Sequence, residues 1–324
     1  MLNQTYKELA IPYFKEVFDI VDEVLTKRCI PFYLVGVSAI ALELLQDGEK
    51  PSRGTKDIDF AIMISSLEDF ENVVADLEHF GFNKVEAPWT MYHPKYKIAI
   101  DLLPFGEIEE NYTINFNERY TDLHVLGFKE VLEVTNEIRI EEKIAKIPSL
   151  QGMILLKLVA WADRPEERPN DPYDILRVIE YYYLFNLNEI LDNHYDIFPE
   201  DNFDQLKISA RVLGRKASQI LQKSEKLSAR IFTILKENKL DPVKSSFIRQ
   251  WVQQKDWTIE YAVEIIKSNP QSYETSCVIS KLFYIIKSDS RNCLRKTILK
   301  YKVKYFDTID DYNSEVVEKI MLAY

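Results

Sequence analysis

The chain has 324 residues and a net charge of −11, and 46% of its residues are hydrophobic. This length predicts two domains of about 100–200 residues each, and the composition excludes collagen-like, low-complexity and intrinsically disordered classes. No apolar run is long enough to cross a bilayer, so the sequence predicts a cytoplasmic protein without membrane contact.

The first half of the chain alternates between helical and strand-like periodicity. The periodicity predicts helices over 3–28, 38–45 and 67–80, and strands over 32–35, 57–64, 84–90, 97–103, 113–116 and 123–134. This order predicts a catalytic α/β (α+β) domain over 1–148, with helices packed on a mixed sheet.

The second half of the chain has helical periodicity throughout. It predicts helices over 149–163, 172–185, 204–223, 226–237, 241–253, 258–267, 273–287 and 291–301. We expect an all-α domain over 149–324, in which 149–186 completes the functional site and 204–324 forms a basic helical bundle.

The basic residues are concentrated in this second half. Residues 206–304 hold 21 Lys and Arg residues and 8 Asp and Glu residues, whereas the rest of the chain holds 20 and 44. Such a division indicates either an acidic partner such as nucleic acid or electrostatic attraction between the two domains.

Three acidic residues occupy two of the predicted strands. Asp57 and Asp59 are two positions apart, so their side chains point to the same side of one strand. Asp101 lies in the apolar strand that contains Ile100 and Leu102, where a carboxylate needs a partner or a metal. Asp57 and Asp59 alone would be typical of solvated carboxylates at a strand end, but three acids together predict a Mg²⁺ site.

A phosphate-binding turn is predicted about twenty residues before the acidic pair. Gly36 follows a strand and precedes a helix, which lets a phosphate approach the backbone and the amides of the helix N-terminus. Ser38 would either contact that phosphate or act only as the N-cap of the helix.

This arrangement resembles the nucleotidyltransferase superfamily, which includes DNA polymerase β and the aminoglycoside-modifying enzymes. A closer resemblance is to its AbiEii/AbiGii branch, the toxin-like nucleotidyltransferases of type IV toxin–antitoxin systems. The matching segments are Arg53-Gly54-Thr55-Lys56-Asp57-Ile58-Asp59, Lys157 with Ala160, and Asp171 with Asp174. The chain departs from that pattern at Val37, where a second Gly is usual, and at Asn170, where a Lys is usual.

The resemblance implies roles for individual residues. Asp57 and Asp59 would bind two Mg²⁺ ions, with Mn²⁺ as the alternative, and Asp101 would bind the second ion and accept the proton of the acceptor. Gly36, Ser38, Thr55 and Lys157 would bind the nucleotide, and Asp174 would orient Lys157. Two alternatives remain open, namely that Lys157 extends to solvent along the surface and that Asp174 belongs to the capped start of a helix.

The resemblance also implies partners: an NTP, a tRNA 3′ end as acceptor, and an antitoxin. The basic residues Arg291, Arg295, Lys296, Lys300, Lys302 and Lys304 would suit an RNA backbone or form a solvated helical face. Arg164 and Arg168 would either contact phosphates or be solvated loop charges, and we favour the second interpretation. For Tyr181–Tyr183 we favour helix packing over a base-stacking platform. A small-molecule or protein acceptor, and a catalytically silent nucleotide-binding module, are the alternative functions.

Overall fold

The structure is a computed structural model and describes residues 5–51, 54–55, 57–116, 122–198 and 203–267. Residues Met1–Pro270 belong to one compact unit. The helices predicted over 273–287 and 291–301 and the basic cluster near the C-terminus lie outside the described residues. The predicted division at residue 148 stays a prediction.

The N-terminal segment forms two helices instead of the single helix predicted over 3–28. A 3-10 helix spans Thr5–Leu9, and helix α1 spans Phe14–Lys27. Between them, Ala10 and Tyr13 have positive φ angles of 56° and 58°, and Pro12 has no amide hydrogen to donate. These three residues end one helix and delay the start of the next.

A five-stranded sheet forms the centre of the first half, with α2 (Gly36–Gln46) after its first strand and α3 (Leu67–His79) after its second. Its strands are β1 (Phe32–Val35), β2 (Asp57–Met63), β3 (Asn83–Lys84), β4 (Thr90–His93) and β5 (Ile98–Phe105). The spatial order is β1-β2-β5-β4-β3, in which β2 and β5 are parallel and all other neighbours are antiparallel. The predicted mixed sheet is therefore confirmed.

Alternation along the strands separates the core from the acidic residues. Ile58, Phe60 and Ile100 are fully buried on one face, where the ring of Phe18 from α1 lies 6.3 Å from that of Phe60. Because neighbouring residues of a strand point to opposite faces, the acids at the start of β2 and within β5 belong to the other face.

Pro88 explains why the strand predicted over 84–90 is wrong. Proline removes a donor from a strand ladder, and here the chain turns, with the Thr90 amide donating to the carbonyl of Ala87 over 3.0 Å. Only Asn83–Lys84 and Thr90–His93 are strands, and they pair with each other.

The strand predicted over 123–134 is also wrong beyond its first residues. Strand β6 (Thr113–Asn115) pairs with β7 (Asp122–His124), and Gly127, with a φ of 98°, then begins the short helix α4 (Phe128–Leu132). A hairpin that the sequence analysis did not predict follows, formed by β8 (Thr135–Ile140) and β9 (Lys143–Pro148).

The described residues after Pro148 form helices and no strands, which confirms the predicted change to all-α structure. Helix α5 is buried on most sides and packs against α2 and α4 as well as the later helices. No helix in the described part of the chain combines the length and the hydropathy needed to span a bilayer. The helices are α5 (Leu150–Asp163), α6 (Asp171–Phe185), α7 (Leu187–Asn193), a 3-10 helix (Tyr195–Ile197), α8 (Gln205–Leu221), α9 (Glu225–Leu240), α10 (Ser246–Lys255) and α11 (Ile259–Lys267).

Candidate active site

Gly36 forms the turn between β1 and α2 and lies against Asp59. Its φ is 68°, and an added Cβ atom would lie 1.9 Å from Oδ2 of Asp59. Val35 pairs with Asp59 in the sheet, so the register of β1 and β2 sets this close approach. A side chain at position 36 would displace the carboxylate, which is a stronger reason for glycine than the positive φ alone.

The interpretation of Ser38 as the helix cap is wrong. Helix α2 begins two residues earlier, with Val35 as N-cap and no side-chain capping bond. Ser38 is instead buried within the first turn, and its hydroxyl donates to the carbonyl of Val35 over 3.4 Å. Its contact with a phosphate stays a prediction.

The structure brings together the three carboxylates that the sequence analysis grouped. Asp57 and Asp59 lie on one face of β2, and Asp59 pairs in register with Asp101 on the parallel neighbour β5. Each of the three offers an oxygen within 4.8 Å of the others. Since β2 and β5 run in the same direction, this register alone is sufficient to place the acids side by side.

Two threonine hydroxyls orient the outer members of this acid cluster, as we name Asp57, Asp59 and Asp101. Thr55 donates to Oδ1 of Asp57, and Thr90 donates to Oδ1 of Asp101 over 2.6 Å. Thr55 is the predicted nucleotide contact, and the structure places its hydroxyl on a carboxylate. Thr90 was not predicted, because only the pairing of β4 with β5 shows that it faces Asp101.

The electrostatics of the acid cluster disfavour three negative charges. Burial and then the charges of Asp57 and Asp101 raise the pKa of Asp59 to about 8, although Arg168 and Lys157 oppose the rise. Burial also raises the pKa of Asp101, against the hydrogen bond from Thr90. A hard divalent cation between the carboxylates would remove their repulsion, so the donor set fits Mg²⁺.

Lys157 lies beside a second pair of acids, and the alternative that it extends to solvent is wrong. Its side chain is 9% exposed, and its ammonium lies 2.7 Å from Oδ1 of Asp171 and 2.8 Å from Oδ2 of Asp174. Burial lowers the pKa of Lys157, but the two carboxylates outweigh that effect and raise it. Asp174 therefore stands next to Lys157 as the sequence analysis implied, and Asp171 is an equal partner that it did not assign to the site.

Helix α6 supplies both of these carboxylates from its first turn. Asn170 is the N-cap and makes no side-chain capping bond, and Pro172 occupies the start of the helix, where its missing amide hydrogen costs nothing. The backbone amide of Asp174 donates to the carbonyl of Asn170. Asp174 thus belongs to the helix start and also pairs with Lys157, so both hypotheses about this residue hold.

The loop between α5 and α6 contains two arginines with different environments. The guanidinium of Arg164 lies 5.8 Å from the ring centre of Trp89 and donates to the carbonyl of Asp122 over 3.2 Å. The side chain of Arg168 is 49% exposed and lies 3.8 Å from Oδ2 of Asp171. Arg164 packs on Trp89 while its side chain is still 37% exposed, and Arg168 remains half open to solvent.

The aromatic run is packed, as predicted. Tyr182 and Tyr183 are buried, and the ring of Tyr181 stacks on that of Phe185 with centres 5.7 Å apart. These contacts lie within α6 and its neighbours and leave no stacking platform at Tyr182 or Tyr183.

Several basic residues of α8, of α9 and of the turn between them are paired with acids of other elements. Lys223 contacts Glu133 just after α4, Arg230 contacts Asp163 at the end of α5, and Lys207 contacts Glu264 in α11. In the described part of the basic segment, these pairs favour electrostatic attraction within the protein over an open nucleic-acid surface.

No protein-family model and no curated protein sequence matches this chain. Among solved structures, it is similar to lincosamide antibiotic adenylyltransferase LnuA with lincomycin bound (20% identity over 50% of this chain and 93% of that one, TM-score 0.33). It is also similar to an antigenic nucleotidyltransferase-like protein from Paracoccidioides brasiliensis (15% identity, 69% and 92%, TM-score 0.35). A CCA-adding enzyme in complex with ATP matches at 12% identity over 99% and 98%, with a TM-score of 0.29. Because these TM-scores are all below 0.5, the function of this chain has to be argued from its own site.

Proposed function

We propose that this protein is a nucleotidyltransferase that moves a nucleoside monophosphate from an NTP onto an acceptor hydroxyl. The observation that carries the proposal is the acid cluster, whose three carboxylates converge within 4.8 Å beside the turn at Gly36. A cluster of like charges is unfavourable by itself, and binding divalent cations is the function that accounts for it.

Asp57, Asp59 and Asp101 would hold two Mg²⁺ ions, or Mn²⁺ ions, with Asp57 and Asp59 contacting both ions and Asp101 contacting the second. When bound, such ions stabilise negative charge on the attacking and leaving oxygens of a phosphoryl transfer. Thr55 and Thr90 fix the orientation of the two outer carboxylates, so the ligand geometry is set before substrate arrives.

The other residues of the site suit the substrate's phosphates. The start of α2 presents backbone amides and the positive end of the helix dipole, and Gly36 leaves the approach to them unobstructed by a side chain.

Asp101 would accept the proton of the acceptor hydroxyl. The oxygen of that hydroxyl then bonds to the α-phosphorus as the bond to pyrophosphate breaks.

The first experiment is label transfer from each of the four α-³²P NTPs with Mg²⁺, using total tRNA and the protein itself as acceptors. We expect label on an acceptor with the wild type and with Asp241→Asn, a control that removes an exposed carboxylate at the end of α9. We expect no label with Asp59→Ala. Unchanged turnover in Asp59→Ala would refute the site assignment.

Within this proposal the acceptor is a tRNA 3′ end, and the protein is the toxin-like component of a type IV toxin–antitoxin pair. The support is the set of AbiEii/AbiGii-like segments, of which Arg53 and Lys56 lie outside the described residues. Label on tRNA, followed by growth arrest on expression and relief by a co-expressed neighbouring antitoxin, would support this finer assignment.

The paired cations of α8 and α9 favour a second candidate acceptor, a small molecule or a protein hydroxyl. Label in the low-molecular-weight fraction or on the protein, with none on tRNA, would select it. A silent nucleotide-binding module is the remaining alternative, since Val37 replaces a glycine of the phosphate turn. NTP binding with no transfer to any acceptor would select that module.

A further inference from the structure

Lys157 is poorly placed to supply the positive charge that a triphosphate needs. Its ammonium already contacts two carboxylates at 2.7 and 2.8 Å and is almost fully buried. Moving it towards a phosphate would break both short ion pairs and leave the buried Asp171 without its nearest cation, which is strongly unfavourable. Besides the metal ions, a triphosphate bound there would therefore need a different side-chain cation.

Arg168 has the properties that Lys157 lacks. Its side chain is 49% exposed, and its one ion pair among the described residues is a long contact of 3.8 Å to Oδ2 of Asp171. That oxygen is buried and has no hydrogen-bond partner among the described groups. Arg168 therefore faces a buried carboxylate oxygen without being tightly held.

The loop that carries Arg168 is anchored beside the acid cluster. Arg164, four residues earlier, lies over the ring of Trp89, and Trp89 immediately precedes Thr90, whose hydroxyl holds Asp101. The guanidinium is therefore close to the acids while remaining accessible from solvent.

We infer that Arg168 binds the β- and γ-phosphates of the NTP, and that Lys157 serves to hold Asp171 and Asp174 in place. Without nucleotide, Arg168 rests against Asp171; with nucleotide, its planar fork of N–H donors turns to the phosphate oxygens. This inference rests on the proposed function, and it replaces the role that the resemblance implies for Lys157.

The test uses inorganic tripolyphosphate with Mg²⁺ as a probe, because the base is unknown and the inference concerns only the phosphates. Its affinity for the full chain is measured by calorimetry for the wild type, Arg168→Ala and Arg168→Lys. Arg249→Ala is the matched control, since Arg249 is exposed on α10. We expect Arg168→Ala to weaken binding about 10- to 100-fold, Arg168→Lys to weaken it less, and Arg249→Ala to match the wild type.

A second measurement distinguishes this contact from a general loss of charge. Arg168→Ala should weaken binding of NTPs much more than binding of the corresponding NMPs, because an NMP has no β- or γ-phosphate. Equal tripolyphosphate affinity in Arg168→Ala and the wild type, with transfer intact, would overturn the inference and leave the proposed function standing. Absence of binding of every NTP to the wild type, with Mg²⁺ and with Mn²⁺, would overturn both.

Discussion

Two groups of charged residues lie close together in this protein and are built in opposite ways. The acid cluster brings three like charges within 4.8 Å of one another, and the hydroxyls of Thr55 and Thr90 donate to it. The group around Lys157, which we name the lysine cluster, joins Lys157 to Asp171 and Asp174 through short ion pairs. The first is a group of like charges whose repulsion an added cation would relieve, whereas the second is built around its own cation.

Because of this difference, we expect the acid cluster to determine activity and the lysine cluster to contribute to stability. A cluster that stays unfavourable in the folded chain should gain stability when a charge is removed and lose its activity at the same time. The buried lysine cluster should lose stability when its central cation, the ammonium of Lys157, is removed. Single substitutions in the two clusters should therefore have opposite effects on folding.

The largest effect on activity is expected from Asp59→Asn. The substitution removes the central carboxylate while keeping its shape, so transfer should fall by roughly a thousandfold or more. In EDTA the free energy of unfolding should stay the same or rise, because a source of repulsion has been removed. Label-transfer rates measure the activity, and urea unfolding curves of the same preparation measure the free energy of unfolding. A large loss of stability would show that Asp59 is a structural residue.

Lys157→Met should break the lysine cluster. Of the substitutions in the two clusters, it should lower the free energy of unfolding the most. Removing the ammonium breaks two short, buried ion pairs and leaves Asp171 with only a 3.8 Å contact to Arg168 among the described residues, so the free energy of unfolding should fall by about 3–5 kcal/mol. Urea unfolding at neutral pH checks this, with Asp59→Asn as the matched comparison in the other cluster. Unchanged stability together with lost NTP affinity would mean that Lys157 acts on the nucleotide, as the family resemblance implies.

The pH dependence of stability should sharpen the comparison further. The folded-state pKa of Asp59 is raised to about 8, above its value of about 4 in an unfolded chain. The folded state then binds more protons than the unfolded state between these values, so metal-free stability should fall as pH rises from about 4 to 8. Thermal melts across this range in EDTA test the slope.

Two controls belong to that pH experiment. Asp59→Asn should flatten the slope because the titrating group is gone, and millimolar Mg²⁺ should reduce it in the wild type because the cation favours the ionised carboxylate. A slope that is the same in the wild type and in Asp59→Asn would assign the pH dependence to other groups.

The comparison also shows which parts of the molecule were predictable from sequence. The acid cluster was predictable because Asp57 and Asp59 are two residues apart in one strand and Asp101 interrupts an apolar one. Alternation, which is a local property, fixes the face to which each of them points. Long helices such as α5 and α6 were predictable for the same reason, since their periodicity is visible along the chain.

Features that depend on long-range contacts were not predictable. Lys157 and Asp171 belong to different helices, and nothing in their spacing shows that the ammonium is buried between two acids. Arg164 and Trp89 are 75 positions apart in sequence, so their contact needed the fold. The hairpin of β8 and β9 was missed because its strands are short and Ile144 lies on the exposed face of β9, which interrupts the alternation of apolar and polar residues.

Thr90 is the clearest example of a residue whose role depends on a long-range contact. Its substitution gives the smallest predicted effect on activity. Thr90→Val keeps the β-branched shape but removes the hydroxyl that holds Asp101 at 2.6 Å, so Asp101 should lose its fixed orientation. We expect transfer to fall by about tenfold, with a much smaller change in NTP affinity because Asp59 and Asp57 are untouched. Thr90→Ser, which retains the hydroxyl, should recover most of the rate. If Thr90→Val keeps the wild-type rate while Thr90→Ser is slow, the methyl group and not the hydrogen bond is what matters, and the acid cluster then depends on packing from β4 and not on a donor to Asp101.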